Sequence, residues 1–245
     1  MMTSSALTLP GSRLVNEDAV AVFTKDNYCL AVLCDGLGGH GKGEVASSLV
    51  TDCFGEEFDD FCKSKQKSKE FLPKAFLYAQ AKLLELQKTE KLIREMKTTC
   101  VAILMDKKRA HIAHIGDSRL YVFRGGRVTF RTLDHSVPQM LVFSNEIKES
   151  EIRHHPDRSL LLRVMGTPWE TPQFEVSKPA SLHKLDAFLL CSDGFWELIE
   201  ESEMEQLLRE SSTAEEWIQR MQRVVEANGT GLNMDNYSAI ALIRG

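Results

Sequence analysis

Long apolar runs are missing from this 245-residue chain. The longest unbroken one, Tyr28 to Cys34, falls far short of the roughly 20 residues a membrane helix needs, which argues against a helical span. A basic excess is missing as well. With 30 Lys plus Arg against 35 Asp plus Glu, the formal net charge is -5, so the chain lacks the cationic surface with which a general nucleic-acid binder displaces counterions. Met1 to Ser5 carry neither a positive stretch nor a long apolar one, so no export signal is expected and a cytoplasmic location is. Cys29, Cys34, Cys53, Cys62, Cys100 and Cys191 form no C-x-x-C pair. Four of them lie in or beside apolar runs, where they read as buried thiols rather than a disulfide framework or zinc site. There is no repeat, low-complexity tract or Pro/Gly-rich linker, and one domain over 1–245 is expected. A composition of 43% hydrophobic and 27% charged residues excludes disorder.

What is present is patterned for a mixed fold. Alternation and β-branched content predict strands at Ala19 to Phe23, Tyr28 to Cys34, Thr98 to Met105, Arg109 to Ile115, Arg119 to Phe123, Arg127 to Leu133, Ala187 to Cys191 and Tyr237 to Ile243. Gly125-Gly126 marks a hairpin turn between two of them. Helical spacing predicts helices over Glu44 to Phe61 (Val45, Leu49, Cys53, Phe54, Phe58 and Phe61 on one face) and Lys69 to Met96 (Leu72, Phe76, Ala79, Leu83 and Leu86), with Pro73 placed in the first turn. Lys63 to Lys69 reads as a solvated connector between them. Thr213, with Glu216 three residues on, predicts a capping box for a helix through Val225. Short turns between successive strands imply largely antiparallel sheet.

Acidic residues collect where strands end. Asp35 closes an apolar strand and opens Asp35-Gly36-Leu37-Gly38-Gly39-His40, Asp193 closes Leu189-Leu190-Cys191-Ser192, Asp235 stands just before the last strand, and Asp18 just before the first. Read singly, each is an ordinary turn or capping residue. Together they place carboxylates at the rim of a core, where desolvation is costly unless a cation compensates. Oxygen ligands without clustered His or Cys point to Mg²⁺ or Mn²⁺ rather than zinc, and a glycine such as Gly36 lets a backbone carbonyl approach an ion. The G-x-G-x-x-G spacing from Gly36 to Gly41 lacks a parallel β-α-β context. A nucleotide P-loop fails too, because Lys42 is followed by Gly43.

Arg13-x-x-Asn16-Glu17-Asp18, Asp35-Gly36-x-Gly38-Gly39-His40, Thr98-Thr99, Gly116-Asp117-Ser118-Arg119, Asp134-His135-Ser136, Cys191-Ser192-Asp193-Gly194 and Asp235-Asn236 follow one another in the order typical of the metal-dependent protein phosphatases of the 2C type. The chain resembles that family, its bacterial branch in particular, from about Gly11 to Ile243. The resemblance implies an α+β fold, a four-layer α-β-β-α sandwich of two antiparallel sheets flanked by helices, with a two-metal centre at one end. It implies a Ser/Thr protein phosphatase that uses Mn²⁺ or Mg²⁺ and a metal-bridging water for direct attack. Asp35 would bridge the two ions, the Gly36 carbonyl would bind one of them, and Asp193 and Asp235 would ligate the other. Asp18, with Glu17, would act through coordinated waters, and Asp117 would hold a weaker third ion with Asp193. Arg13 matches the phosphate-binding arginine, and its fork suits a phosphoryl group. Catalysis would thus fall to Arg13, Asp35 and Asp193, with Asn236 and His40 in supporting positions.

Leu37 stands where many eukaryotic members have a histidine proposed as general acid, so the leaving group must be protonated from elsewhere, with His40 a candidate. Ser136 to Arg163 aligns with the substrate-side flap, where Asn145 replaces a frequent glycine and His154-His155 read as surface. The partners implied are phosphorylated proteins and a cognate Ser/Thr kinase, with no nucleic acid, no membrane and a monomeric state. Two rival functions remain in view, a metal-dependent hydrolase of small phosphoesters or nucleotides and a silent regulatory domain. The second is weakened because the principal acids and Arg13 are all present.

Overall fold

Successive side chains of an extended strand point to opposite faces, so an apolar run such as Tyr28 to Cys34 must be covered on both sides. It is. Cys29, Ala31 and Leu33 pack in a layer between two sheets, while Leu30, Val32 and Cys34 pack beneath helices. The structure, a computed structural model, describes residues 2–37, 42–64, 66–90, 96–183 and 186–244.

In chain order the elements are β1 (Met2–Leu9), β2 (Asp18–Lys25), β3 (Tyr28–Leu37), α1 (Gly43–Lys63), α2 (Ser68–Thr89), β4 (Lys97–Thr98), β5 (Cys100–Met105), β6 (Arg109–Ile115), β7 (Arg119–Arg124) and β8 (Arg127–Arg131). Then come α3 (Val137–Phe143), a 3₁₀ turn (Glu149–His154), β9 (Glu175–Val176), β10 (Ala180–Ser181), β11 (Ala187–Cys191), α4 (Asp193–Trp196), α5 (Glu201–Arg209), α6 (Ala214–Gly229) and β12 (Tyr237–Arg244). One sheet runs β1-β12-β11-β7-β8 and the other β10-β6-β5-β3-β2, with β9 also on β6 and β4 on the end of β3. Every one of these pairings is antiparallel. Three apolar layers hold the sandwich. Phe54, Phe71 and Phe76 of α1 and α2 cover one sheet, Trp217 and Met221 of α6 with Met204 of α5 cover the other, and Leu33, Ile103, Phe188 and Ile240 fill the space between. The α+β, four-layer expectation is met.

Local expectations fare differently. Gly125 and Gly126 both have positive φ (56° and 73°), the conformation that a two-residue turn matched to strand twist requires. Asn145 is left-handed at φ 62°. Thr213 caps α6 through the Glu216 amide at 3.1 Å, but the Glu216 carboxylate reaches the Ser212 amide instead of Thr213's own, so the box opens by one residue. α2 starts at Ser68, and Pro73, its sixth residue, lies inside the helix beyond the first turn, where its ring forgoes a backbone bond; the expected start at Lys69 would have left it beyond that turn too. The helix ends at Thr89 and Met96 is not helical; 91–95 lie outside the described residues. All six cysteines are free thiols, five of them buried.

Several elements gave no sequence signal, among them β1, α5 and α3. β1 is rich in Ser and Thr and finds its partner in β12 at the far end of the chain, Met2 opposite Arg244 through Leu9 opposite Tyr237. α5 buries only Met204 completely. α3 lies in the stretch read as a flap, started by the Ser136 side chain accepting from the Gln139 amide. The strand expected over Thr98 to Met105 is interrupted at Thr99, between β4 and β5.

Phe188 is fully buried between the sheets. Phe188→Ala should therefore cost about 3–5 kcal/mol of stability, read from the midpoint of urea unfolding.

Candidate active site

Strand parity delivers the acids to one place. Asp35 continues the series Cys29, Ala31, Leu33 that faces the space between the sheets, and register sets Asp18 directly opposite it on β2. Like charges opposed on neighbouring strands repel. Asp193 opens α4 immediately after β11, and Asp117 sits in the turn between β6 and β7, so the ends of both sheets contribute to a cleft of about 570 Å³. Arg13, Glu17, Asp35, Gly36, Asp117, Asp193, Asp235 and Asn236 line it, so it brings together most of the site residues expected from sequence. Asp18 lies below. Its Oδ2 accepts from Ser192 Oγ at 2.9 Å, and its Oδ1 is buried without a hydrogen-bond partner. His40 lies outside the described residues, as do Gly38, Gly39 and Gly41.

A hydrogen-bonded frame holds these groups. The break at Thr99 lets its Oγ1 accept from the Asp35 amide at 3.0 Å and meet Ser118 Oγ at 2.7 Å. Thr98 Oγ1 and the Thr99 amide both donate to the Asp35 carbonyl at 2.8 Å. Gly36 has no room for a side chain, because a Cβ would run into the Gly43 carbonyl and the Glu17 backbone oxygen. Asn236 accepts from the Glu17 amide at 2.8 Å and donates to the carbonyls of Pro10 and Val15 at 3.0 and 2.9 Å, tying the Arg13 loop to the start of β12. Arg13 Nη2 donates to Asp235 Oδ2 at 2.9 Å, with both side chains half-exposed. Beneath, Arg119 forks onto Asp134 at 2.9 and 2.7 Å and stacks on Trp196, whose Nε1 donates to the Asp117 carbonyl at 3.1 Å.

Electrostatics is the site's main cost. Burial first, against which the nearby Ser238 and Ser192 hydroxyls act, and then the Asp193 and Asp235 charges set the Asp18 carboxyl at about 7. Burial with the Glu197 and Asp235 charges raises Asp193 to about 6. Asp35 and Asp117 are pushed well above the carboxylate range, by burial first and by neighbouring acids second. These are acids whose ionised forms are poorly tolerated until a cation joins them.

Divalent cations fit this donor set. The carboxylates are hard oxygen ligands, the Asp18 oxygen is unpartnered, and Gly36 permits close backbone approach. A tighter cluster lies elsewhere, with ligand-type atoms of His114, His135 and Glu175 within 4.8 Å of one another. It is poorly suited to a metal. His135 Nδ1 accepts from the Gly116 amide at 3.2 Å, which leaves the proton on Nε2, and the two rings stack at 4.6 Å and 9°, so their in-plane lone pairs do not converge on one point.

Val15, Leu37, Ser159 and Leu161 also line the cleft. The sequence assigns Val15, Ser159 and Leu161 no individual role, since single residues in loops carry no spacing signal. Ser192 was quoted only as part of a motif, yet it links the sheets through Asp18. His154 is exposed, and His155 Nδ1 accepts from the Asp157 amide, so that pair does lie at the surface.

A carboxyl whose folded pKa is raised binds its proton more tightly folded than unfolded. Without cations the fold therefore loses stability as pH rises from about 4, the unfolded value, through the folded values of about 6 and about 7. Cations that take the proton's place reverse this loss. Saturating Mn²⁺ should raise Tm more at about pH 7.5 than at about pH 5, as followed by calorimetry.

The family model for protein phosphatase 2C matches residues 11–237. The chain is 31% identical over 206 residues to the serine/threonine phosphatase stp of Listeria monocytogenes, covering 82% of this chain and 80% of that one. The crystal structure of the Mycobacterium tuberculosis serine/threonine phosphatase PstP/Ppp superposes with a TM-score of 0.85 at 28% identity, over 99% of this chain and 98% of that one. A PstP catalytic domain solved with two manganese ions gives 0.83 at 27% identity, over 100% and 99%. With its acids gathered at the ends of two antiparallel sheets and the model matched over most of its length, the chain belongs to the protein phosphatase 2C family.

Proposed function

We propose that this protein is a metal-dependent phosphatase acting on phosphoserine and phosphothreonine of proteins. One observation carries the reading. Asp35, with Asp18 in register beneath it, stands between the sheets beside Asp117 and Asp193, in a cleft where Arg13 is the lone cationic lining residue among the described residues. A cleft so acidic would repel a phosphate dianion, so the same cations that neutralise the carboxylates are needed to admit the substrate. Family membership and the two manganese ions of the PstP relative support this.

In this reading Asp35, the Gly36 carbonyl, Asp193 and Asp235 would hold the two ions. Asp18 and Glu17 would support them through coordinated water, and Asp117 with Asp193 would offer a weaker third position. When bound, such a pair of Mn²⁺ or Mg²⁺ ions supplies an acidified water as nucleophile and neutralises charge on the phosphoryl group. Arg13 orients the phosphate with its bidentate fork, for which it must leave Asp235. Asn236 positions Glu17 through its backbone amide. Leu37, which lines the cleft, offers no proton to the leaving hydroxyl. A Ser/Thr kinase is the partner whose product this chemistry reverses, and a monomer suffices, since every group named comes from one chain.

Hydrolysis of a phosphothreonine peptide should occur with Mn²⁺ and cease with chelator, and Asp193→Ala should lower kcat about a hundredfold or more. Chelator-resistant turnover, or brisk nucleotide hydrolysis with none on the peptide, would overturn the reading. Arg13→Ala should raise KM about tenfold while Mn²⁺ binding, measured by titration calorimetry, is retained. An unchanged KM would remove the arginine from phosphate binding.

A further inference from the structure

The charged centre is set in an apolar frame. Leu14, next to Arg13, is fully exposed (104%), and Val15 is 42% exposed. Their loop is anchored, because the Ser12 and Arg13 amides donate to the Met234 and Pro10 carbonyls at 3.0 Å and Asn236 donates to the Val15 carbonyl at 2.9 Å. Leu14 is therefore held out in water by a fixed backbone. Leu161 lines the same cleft from the flap, on a segment fastened by the Val137 amide to the Leu160 carbonyl at 2.9 Å and the Leu162 amide to the His135 carbonyl at 2.8 Å. The cleft continues into a groove of about 420 Å³ that shares Arg13, Ser159, Asp193 and Asp235 with it and adds Leu198 and Leu232, the latter 58% exposed.

The arginines that line these two spaces are already paired, Arg13 with Asp235 at 2.9 Å and Arg158 with Glu197 at 2.8 Å. A side chain flanking the phosphorylated residue thus meets leucine and valine surface, the paired Arg158 and Glu197, and the carboxylates of Asp193 and Asp235. An apolar flank gains by leaving water there, whereas a serine buries little apolar surface and a glutamate is repelled by the neighbouring acids.

We propose that this frame selects phosphoprotein segments carrying apolar side chains next to the phosphorylated residue. The occupant is the phosphorylated segment itself, because the apolar surface is continuous with the cleft that takes its phosphate. The inference rests on the phosphatase reading above.

With the Mn²⁺-loaded protein, kcat/KM for a phosphothreonine peptide bearing leucine on both sides of the phosphorylated residue should exceed that for the same peptide with serine or with glutamate there by about tenfold. Leu14→Ser, which removes no buried side chain, should reduce that preference to about threefold or less. A ratio of two substrates on one protein is unaffected by how much of it is folded or metal-loaded. p-Nitrophenyl phosphate, which has no flanking residues, separates the two readings. If it is hydrolysed with Mn²⁺ while the three peptides are handled alike, or if Leu14→Ser leaves the ratio unchanged, the selection is overturned and the phosphatase chemistry stands. If neither it nor any peptide is turned over, the phosphatase reading falls and the selection with it.

Discussion

Two carboxylates facing each other across neighbouring strands are the constraint on which the rest of the structure depends. Asp18 and Asp35 are register partners at the end of an inter-sheet layer that is otherwise apolar; Asp18 is buried, Asp35 opens on the cleft, and among the described residues no cation of the chain forms an ion pair with either. Ser192 shares part of the burden by donating to one Asp18 oxygen, and the other oxygen has no partner. A fold keeps such an arrangement only where something else joins it. The three apolar layers supply the stability that lets the cleft carry this cost.

Rigidity around the acids has an identifiable origin. The interruption of a strand at Thr99 turns two threonines toward the Asp35 backbone, and the turn at Gly116 brings Ser118 within 2.7 Å of Thr99. The fork of Arg119 on Asp134, stacked on Trp196, anchors the base of the flap to the sheet that carries Asp117. Arg119 and Asp134, which the sequence offers only as parts of motifs, are thus positioning residues. They touch one another and the frame, while Asp117, two residues before Arg119, lines the cleft.

Helix and strand positions were largely legible because burial imposes a period on the residues. The run from Tyr28 to Cys34 needed cover on both faces, and the spacing of Phe54, Phe58 and Phe61 needed one. β1 was illegible for the converse reason. Its Ser and Thr residues lie at a sheet edge, and the strand exists because β12 offers a partner along its whole length, which no local window contains. α5, with one completely buried side chain, had too thin an apolar stripe to announce itself. Pro73 shows a limit of another kind: even from Lys69 it is the fifth helical residue, so the first-turn reading fails on the count itself, and α2 carries the ring inside.

By itself the sequence determined which residues are candidates for the chemistry: acids at strand ends, a glycine where backbone must come close, and an arginine near the start, in an order shared with one family. Tertiary structure alone decided how they stand to one another. It set Asp18 opposite Asp35, paired Arg13 with Asp235, gathered His114, His135 and Glu175 into a separate cluster that does not line the cleft, and ringed the cleft with Val15, Leu37 and Leu161. The reason is physical. Residue type and spacing govern local conformation and the affinity of a side chain for an ion or for water, whereas opposition, burial and charge repulsion arise only when strands distant in the chain are brought into register.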